Sequence, residues 1–210
     1  MNSKILNILS KLEIQANLEN LGKVEVPHDD QMLAITPDTG KFFNIFLKTV
    51  KAKRLLEIGT STGFSTLWFA DALIENDNEN CKIITIEENP SKIKRAINNF
   101  EKAGVSNIIE IRKGTATNIL EELSKKHTED FAKFDFVFID ADKENMIQYF
   151  DLVFPMVKIG GIIAADNILY PEKFRDGMKK YSKHILSKPN VQTVTVPIGN
   201  GEEISFKIKD

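Results

Sequence analysis

Five short apolar runs, each followed by a stretch of helical period, constrain this chain more than any other feature. "KRLLEIG" (53–59), "KIITIE" (82–87), "NIIEIR" (107–112), "FDFVFID" (134–140) and "GGIIAAD" (160–166) read as strands. The spacing predicts helices over 64–74, 90–103, 117–126, 144–154 and 172–186. Pro90 opens the second of these and Gly104 follows its end, the usual order of helix start and stop signals. Two more helices precede the alternation. One spans 3–21, with Ile5, Ile8, Leu9 and Leu12 on one face; the other spans 38–50, with Phe42, Phe43, Phe46, Leu47 and Val50 apolar. The chain closes on "VQTVTVPIGNGEEISFKIK", two alternating segments around a Gly-Asn-Gly turn, which predicts a hairpin. Runs such as FVFI and IIAA are apolar on both faces. A doubly wound, mostly parallel α/β sheet with helices on both sides and an antiparallel C-terminal hairpin is therefore expected. Residues 1–210 read as one domain, with the helices of 1–50 expected to cover its site.

Composition narrows the partners. Hydrophobic residues make up 42% and charged residues 28%, ordinary for a globular protein, and the formal charge of −2 argues against a basic coat for nucleic acid. The basic runs at 51–54 and 179–180 read as solvated faces or helix ends. A single cysteine, Cys81, rules out an internal disulfide and suits a reducing cytoplasm. The first twenty residues are an amphipathic pattern interrupted by charges, unlike a signal peptide, and no apolar run approaches the roughly 18 residues of a membrane span.

In a sheet of this kind, ligands bind beyond the carboxyl ends of the strands. Polar or glycine-containing stretches stand at five such ends: Glu57–Gly63, Glu87, Gly114–Ala116, Asp140–Lys143 and Asp166–Asn167. A dinucleotide fingerprint at the first turn would need glycines where Ser61 and Phe64 stand. That disfavours an NAD-dependent oxidoreductase. Glu87 could accept both hydroxyls of a ribose, and Gly114 and Ala116 would leave room for an adenine ring. Asp140, Asp166 and the amide oxygen of Asn167 are hard oxygen donors suited to a divalent cation, Mg²⁺ foremost. Plainer readings stand beside these: a tight strand–helix turn, a solvated acid, and a turn or helix cap at Asp166-Asn167.

The E-x-G-x-x-x-G of the first turn resembles the first motif of class I S-adenosylmethionine-dependent methyltransferases, which have a Rossmann-like sheet. The joint pattern F-I-D-A-D-K (138–143) and A-D-N (165–167) is more specific. It resembles the cation-dependent O-methyltransferases, the family that includes catechol and caffeoyl-coenzyme A O-methyltransferases. The likeness runs from "ITPDTGKFFNIFLK" to the final hairpin. It implies cofactor contacts at Ile35, Glu57, Gly59, Thr60, Ser65, Glu87, Ala116, Asp140 and Asp142, and metal ligation by Asp140, Asp166 and Asn167. It implies Lys143 as the base that takes a proton from an acceptor hydroxyl; a bound Mg²⁺ would disfavour its ammonium form. The plainer reading of Lys143 is an ion pair with Asp142 or Glu144.

The implied reaction is methyl transfer from S-adenosyl-L-methionine to a hydroxyl of a small catechol-like or phenolic acceptor. The resemblance also implies a cytoplasmic homodimer. A hydroxylated uridine of tRNA is the alternative acceptor, since some bacterial relatives methylate one. The sequence departs from the family at Ser61, Phe64 and Pro171, where the relatives carry an aromatic, a tyrosine and, in plants, an asparagine; these changes bear on the acceptor. His28, His127 and His184 lie outside every motif, and Trp68 reads as packing.

Overall fold

A computed structural model describes residues 2–77, 79–125 and 133–210. Two helices, α1 (Ser3–Asn20) and α2 (Pro37–Thr49), precede the alternating elements. These are β1 (Arg54–Ile58), α3 (Phe64–Asp77), β2 (Lys82–Glu87), α4 (Pro90–Ala103), β3 (Ile109–Lys113), α5 (Ala116–Lys125), β4 (Phe134–Ile139), α6 (Met146–Val153), β5 (Val157–Ala165) and α7 (Arg175–Leu186). The hairpin strands β6 (Val191–Val196) and β7 (Glu202–Lys207) end the chain.

The strands form one sheet in the order β3-β2-β1-β4-β5-β7-β6. The first five are parallel, and β7 runs antiparallel between β5 and β6. The period of two along each strand divides the core. Leu55, Phe136, Phe138 and Ala164 face α1 to α4, whereas Leu56, Val137, Ile139 and Ala165 face α5 to α7. Phe43 of α2 anchors the first layer, its ring 5.5 Å from that of Phe136 and 5.3 Å from that of Phe138. Such edge-on aromatic contacts add roughly 1 kcal/mol each beyond area burial. Trp68 is buried against Phe64 in the same layer, as expected.

Element type follows the sequence reading throughout, and the boundaries differ where side chains intervene. The sixth helix begins at Met146 instead of 144, because Asn145 Nδ2 donates to Asp142 Oδ2 (2.6 Å) and closes a turn first. The seventh is preceded by a 3₁₀ turn, Glu172–Phe174. The fifth strand begins at Val157, three residues early, pairing with Phe134 across a register shift. Residue 126 of the predicted fifth helix and His127 lie outside the described residues.

Successive crossovers wind outward from β1 on one side and from β4 on the other, so strand order reverses between them. A crevice opens beyond their carboxyl ends at such a point.

Candidate active site

The first turn leaves β1 under tight constraint. Gly59 has φ +100°, and a Cβ there would lie 1.9 Å from the Asp140 carbonyl oxygen. Only glycine lets β1 pass this close to the end of β4. The Gly59 and Thr60 amides both donate to Ile86 O (3.1 Å), and the Ser61 amide donates to Glu87 Oε2 (2.8 Å). Glu87 Oε1 meanwhile accepts from the amides of Glu88 (3.1 Å) and Asn89 (3.0 Å). One carboxylate thus ties the first turn to the start of α4.

Glu57 has no exposed surface. Its oxygens accept from the hydroxyls of Ser65 (2.5 Å), Thr66 (2.5 Å) and Thr85 (2.6 Å). Burial pushes its carboxyl up to about 7, against the pull of those three donors and with a further push from Asp140. Glu57, an expected cofactor contact, has its carboxylate engaged by hydroxyls beneath the turn, where it fixes Ser65 and Thr85. A cleft lies above. Ile35, Gly59, Thr60, Ser65 and Asp140, five of the nine expected cofactor contacts, line it together. Its other wall is Met32, Leu33 and Ala34, from the segment before α2.

Glu87, Ala116 and Asp142 stand outside that cleft, at the neighbouring ends of β2, β3 and β4. Ala116 is the first residue of α5, just after Gly114, whose amide donates to Glu87 O (3.0 Å). Asp142 accepts from the Asn145 side-chain Nδ2 (2.6 Å) and from the Tyr149 hydroxyl. Tyr149 also meets Thr117 of α5; burial first, then the hydrogen bond to Asp142, holds its phenol well above the ordinary range. This link draws the ends of β3 and β4 together around one space.

The acids converge beyond β4 and β5. The Asp140 amide donates to Ile58 O (2.9 Å) and the Asp166 amide to Ile139 O (3.1 Å), which sets the two residues at adjacent strand ends. Lys143 Nζ lies 3.0 Å from Asp140 Oδ1. Asp166 is buried, and its Oδ1 accepts from the Asn167 amide (2.5 Å), with Asn167 at φ +69°. Burial, and then the charge of Asp140, raises the Asp166 carboxyl well above the usual carboxylate range. Two carboxylates and a neighbouring amide could hold a hard cation. Among the described residues no three His, Cys, Asp or Glu side chains gather at chelating distance; the expected donor set holds only two acids.

Residues 10–208 match the profile of a family described as O-methyltransferase. The chain belongs to that family. It is 32% identical to caffeoyl-CoA O-methyltransferase 1 of Arabidopsis thaliana over 91% of its own length and 78% of that protein's. A caffeoyl-CoA O-methyltransferase of Petroselinum crispum is likewise 32% identical, over 91% and 83% of the two chains. Among solved structures, an O-methyltransferase of Bacillus cereus in complex with SAH superposes with a TM-score of 0.78 at 25% identity, covering 99% of this chain and 91% of that one. The O-methyltransferase TomG of Streptomyces achromogenes, involved in tomaymycin synthesis and solved with SAM, gives 0.79 at 26% identity, over 96% and 90%. This protein is an S-adenosylmethionine-dependent O-methyltransferase.

Two features of this O-methyltransferase differ from the sequence reading. Lys143 pairs with Asp140 in place of Asp142 or Glu144. A further acid, Glu202, also joins the group. It opens β7 and is fully buried, and it stands one step beyond the Ala165–Glu203 pair, directly across from Asp166. Thr39 Oγ1 donates to its Oε1 (3.3 Å), and the carboxyls of Glu202 and Asp166 meet in a hydrogen bond. Burial, and then the Asp166 charge, raises the Glu202 carboxyl far above its ordinary value. The available signal was "GNGEEI", two glutamates opening a strand, where glutamate is depleted.

Proposed function

We propose that this O-methyltransferase acts on a small catechol-like acceptor and does so with a divalent cation, Mg²⁺, held by Asp140, Asp166 and the Asn167 amide oxygen. Methylation of a phenolic hydroxyl follows from its family. The metal dependence rests on one observation: Asp140 and the buried Asp166 end adjacent strands, with a nearly enclosed lysine on the first of them.

When bound, the cation lowers the cost of ionising a hydroxyl, and the sulfonium cofactor supplies an activated methyl group. The chain does the rest. Ile35, Gly59, Thr60 and Ser65 shape the cleft that holds the methionine part of the cofactor beside Asp140, while Glu87, Ala116 and Asp142 take its ribose and adenine. Glu57 keeps the turn rigid from below. Lys143 receives the proton leaving the acceptor hydroxyl, which an ordinary phenol, with a pKa of about 10, gives up poorly at neutral pH. Adjacent hydroxyls suit such a centre because both oxygens can approach the same charge. Exposed Leu169 and Tyr170, just after Asn167, offer an apolar surface to the acceptor's ring.

A homodimer and a cytoplasmic location complete this reading. Exposed Ile45 on α2 and Phe206 on β7 support an association surface, and no helix among the described residues is long and apolar enough to cross a membrane.

The test is transfer from labelled S-adenosylmethionine to a catechol panel and, separately, to bulk tRNA, with and without chelator. Chelator-sensitive transfer to catechols is expected, restored by Mg²⁺. Transfer to tRNA alone would replace the small acceptor, and transfer indifferent to chelator would remove the cation.

A further inference from the structure

The segment between α1 and α2 forms one wall of the cofactor cleft through Met32–Ile35, yet its only regular element is a 3₁₀ turn, His28–Asp30. Buried Met32 and Ile35 give it apolar anchorage. A polar clamp holds it from behind. The Met32 amide donates to Glu19 Oε2 (2.6 Å), and Glu19, in the last turn of α1, has a side chain only 3% exposed. Gln15 Nε2 and Arg95 Nη2 donate to Glu19 Oε1 (2.8 and 3.3 Å). Arg95, on α4, also reaches the segment directly, its Nη1 donating to Asp30 O (2.7 Å). Asn89 caps the same helix. Its Nδ2 donates to Asp29 O (2.9 Å) and Asp30 Oδ1 (3.1 Å), and its amide donates to Glu87 Oε1 (3.0 Å).

Among the described residues, Glu19, Arg95 and Asn89 make every hydrogen bond that ties residues 24–35 to the rest of the fold. Burial works against ionising Glu19, but its donors Gln15, Met32 and Arg95 outweigh burial and hold the carboxyl below its ordinary value. The clamp is therefore charged at neutral pH. Behind it a groove of about 510 Å³ runs between α1 and α4, lined in part by Ile8, Leu12, Glu19, Val26 and Arg95. Packing is incomplete on that side, so the placement of the wall depends more on the polar contacts than it would in a filled core.

We propose that Glu19 and Arg95 are positioning residues for the cofactor, their ion pair setting the Met32–Ile35 wall against the first turn. Neither lines the cleft, so each acts through the backbone of Met32 or Asp30. Through Asn89 the same network reaches Glu87, the proposed ribose acceptor. The inference rests on reading this cleft as the cofactor site.

The test is a double-mutant cycle of Glu19→Ala and Arg95→Ala, with SAH affinity measured by calorimetry and thermal midpoints taken without ligand. Each single variant should bind SAH about tenfold more weakly, the scale of one charge-assisted hydrogen bond. The double variant should be no more than about threefold weaker than the poorer single, because either change alone opens the clamp. SAH affinity within twofold of the wild type in both singles would overturn the proposal, even with a lowered midpoint, since the pair would then serve stability alone. Losses that multiply in the double variant would also overturn it. Arg95 is partly exposed, so Arg95→Ala decides by itself should Glu19→Ala not fold. Ala34→Phe, which adds bulk at the wall of the cleft, separates the two levels. If it leaves SAH affinity unchanged, the cleft is not the cofactor site and this inference falls with it. If it abolishes SAH binding while the clamp variants bind normally, only the clamp is refuted.

Discussion

Lys143 Nζ sits 3.0 Å from Asp140 Oδ1, and the lysine side chain is only 8% exposed. The pair brings the proposed proton acceptor against the first of the proposed ligands. An enclosed amine beside a carboxylate has few alternative orientations, so the contact preorganises the site without demanding a large rearrangement.

Replacing that amine should separate chemistry from binding. Lys143→Met is expected to lower single-turnover methyl transfer by about 10²- to 10⁴-fold, the range for a general base. SAH affinity should stay within about twofold, because Lys143 does not line the cofactor cleft. Normal turnover in the variant would show that the proton goes elsewhere.

Glu87 should behave in the opposite way. Glu87→Ala removes the acceptor for the Ser61, Glu88 and Asn89 amides as well as the proposed ribose contact. SAH binding measured by calorimetry should weaken by about tenfold or more, equivalent to the roughly 1.5–3 kcal/mol of a charge-assisted hydrogen bond. At saturating cofactor, turnover should largely recover.

Two glycines at strand ends should differ in their tolerance of a methyl group. Gly59→Ala drives a Cβ to 1.9 Å from backbone at the end of β4, whereas at Gly114 the nearest atom is Ile119 Cδ1, at 3.6 Å. Both positions have positive φ, which costs an alanine on the order of 1–3 kcal/mol. Urea unfolding should show that loss for Gly114→Ala and a clearly larger one, or failure to fold, for Gly59→Ala. Equal losses would mean the β1–β4 approach is not the constraint.

Glu57 makes stability depend on pH. Its folded-state value of about 7 lies above the ordinary 4.5, so between these values the folded protein holds more protons than the unfolded chain. The contribution is fully present below about pH 4.5 and is lost as pH rises through 7, a difference of roughly 3 kcal/mol. Urea unfolding of metal-free protein at pH 5 and pH 8 should reveal a decline of this order beyond that of Glu57→Gln. The same pH slope in both proteins would mean that Glu57 is ionised throughout.

The sequence alone determined the alternation of strands and helices, the closing hairpin and the location of polar groups at strand ends. Hydrophobic period and turn chemistry are local properties, readable within a dozen residues. "DADK" and "DN" were legible as candidate site residues because both follow apolar strands that a parallel sheet must align. Only the tertiary structure decided what each side chain meets. It gave Lys143 to Asp140, sealed Glu57 beneath hydroxyls from α3 and β2, and set Met32–Ile35 against the first turn. It also carried Glu202 across to Asp166 and to Thr39, 163 residues away in the chain. Such pairings depend on strand order and helix packing, which bring together residues whose local sequences carry no mark of one another.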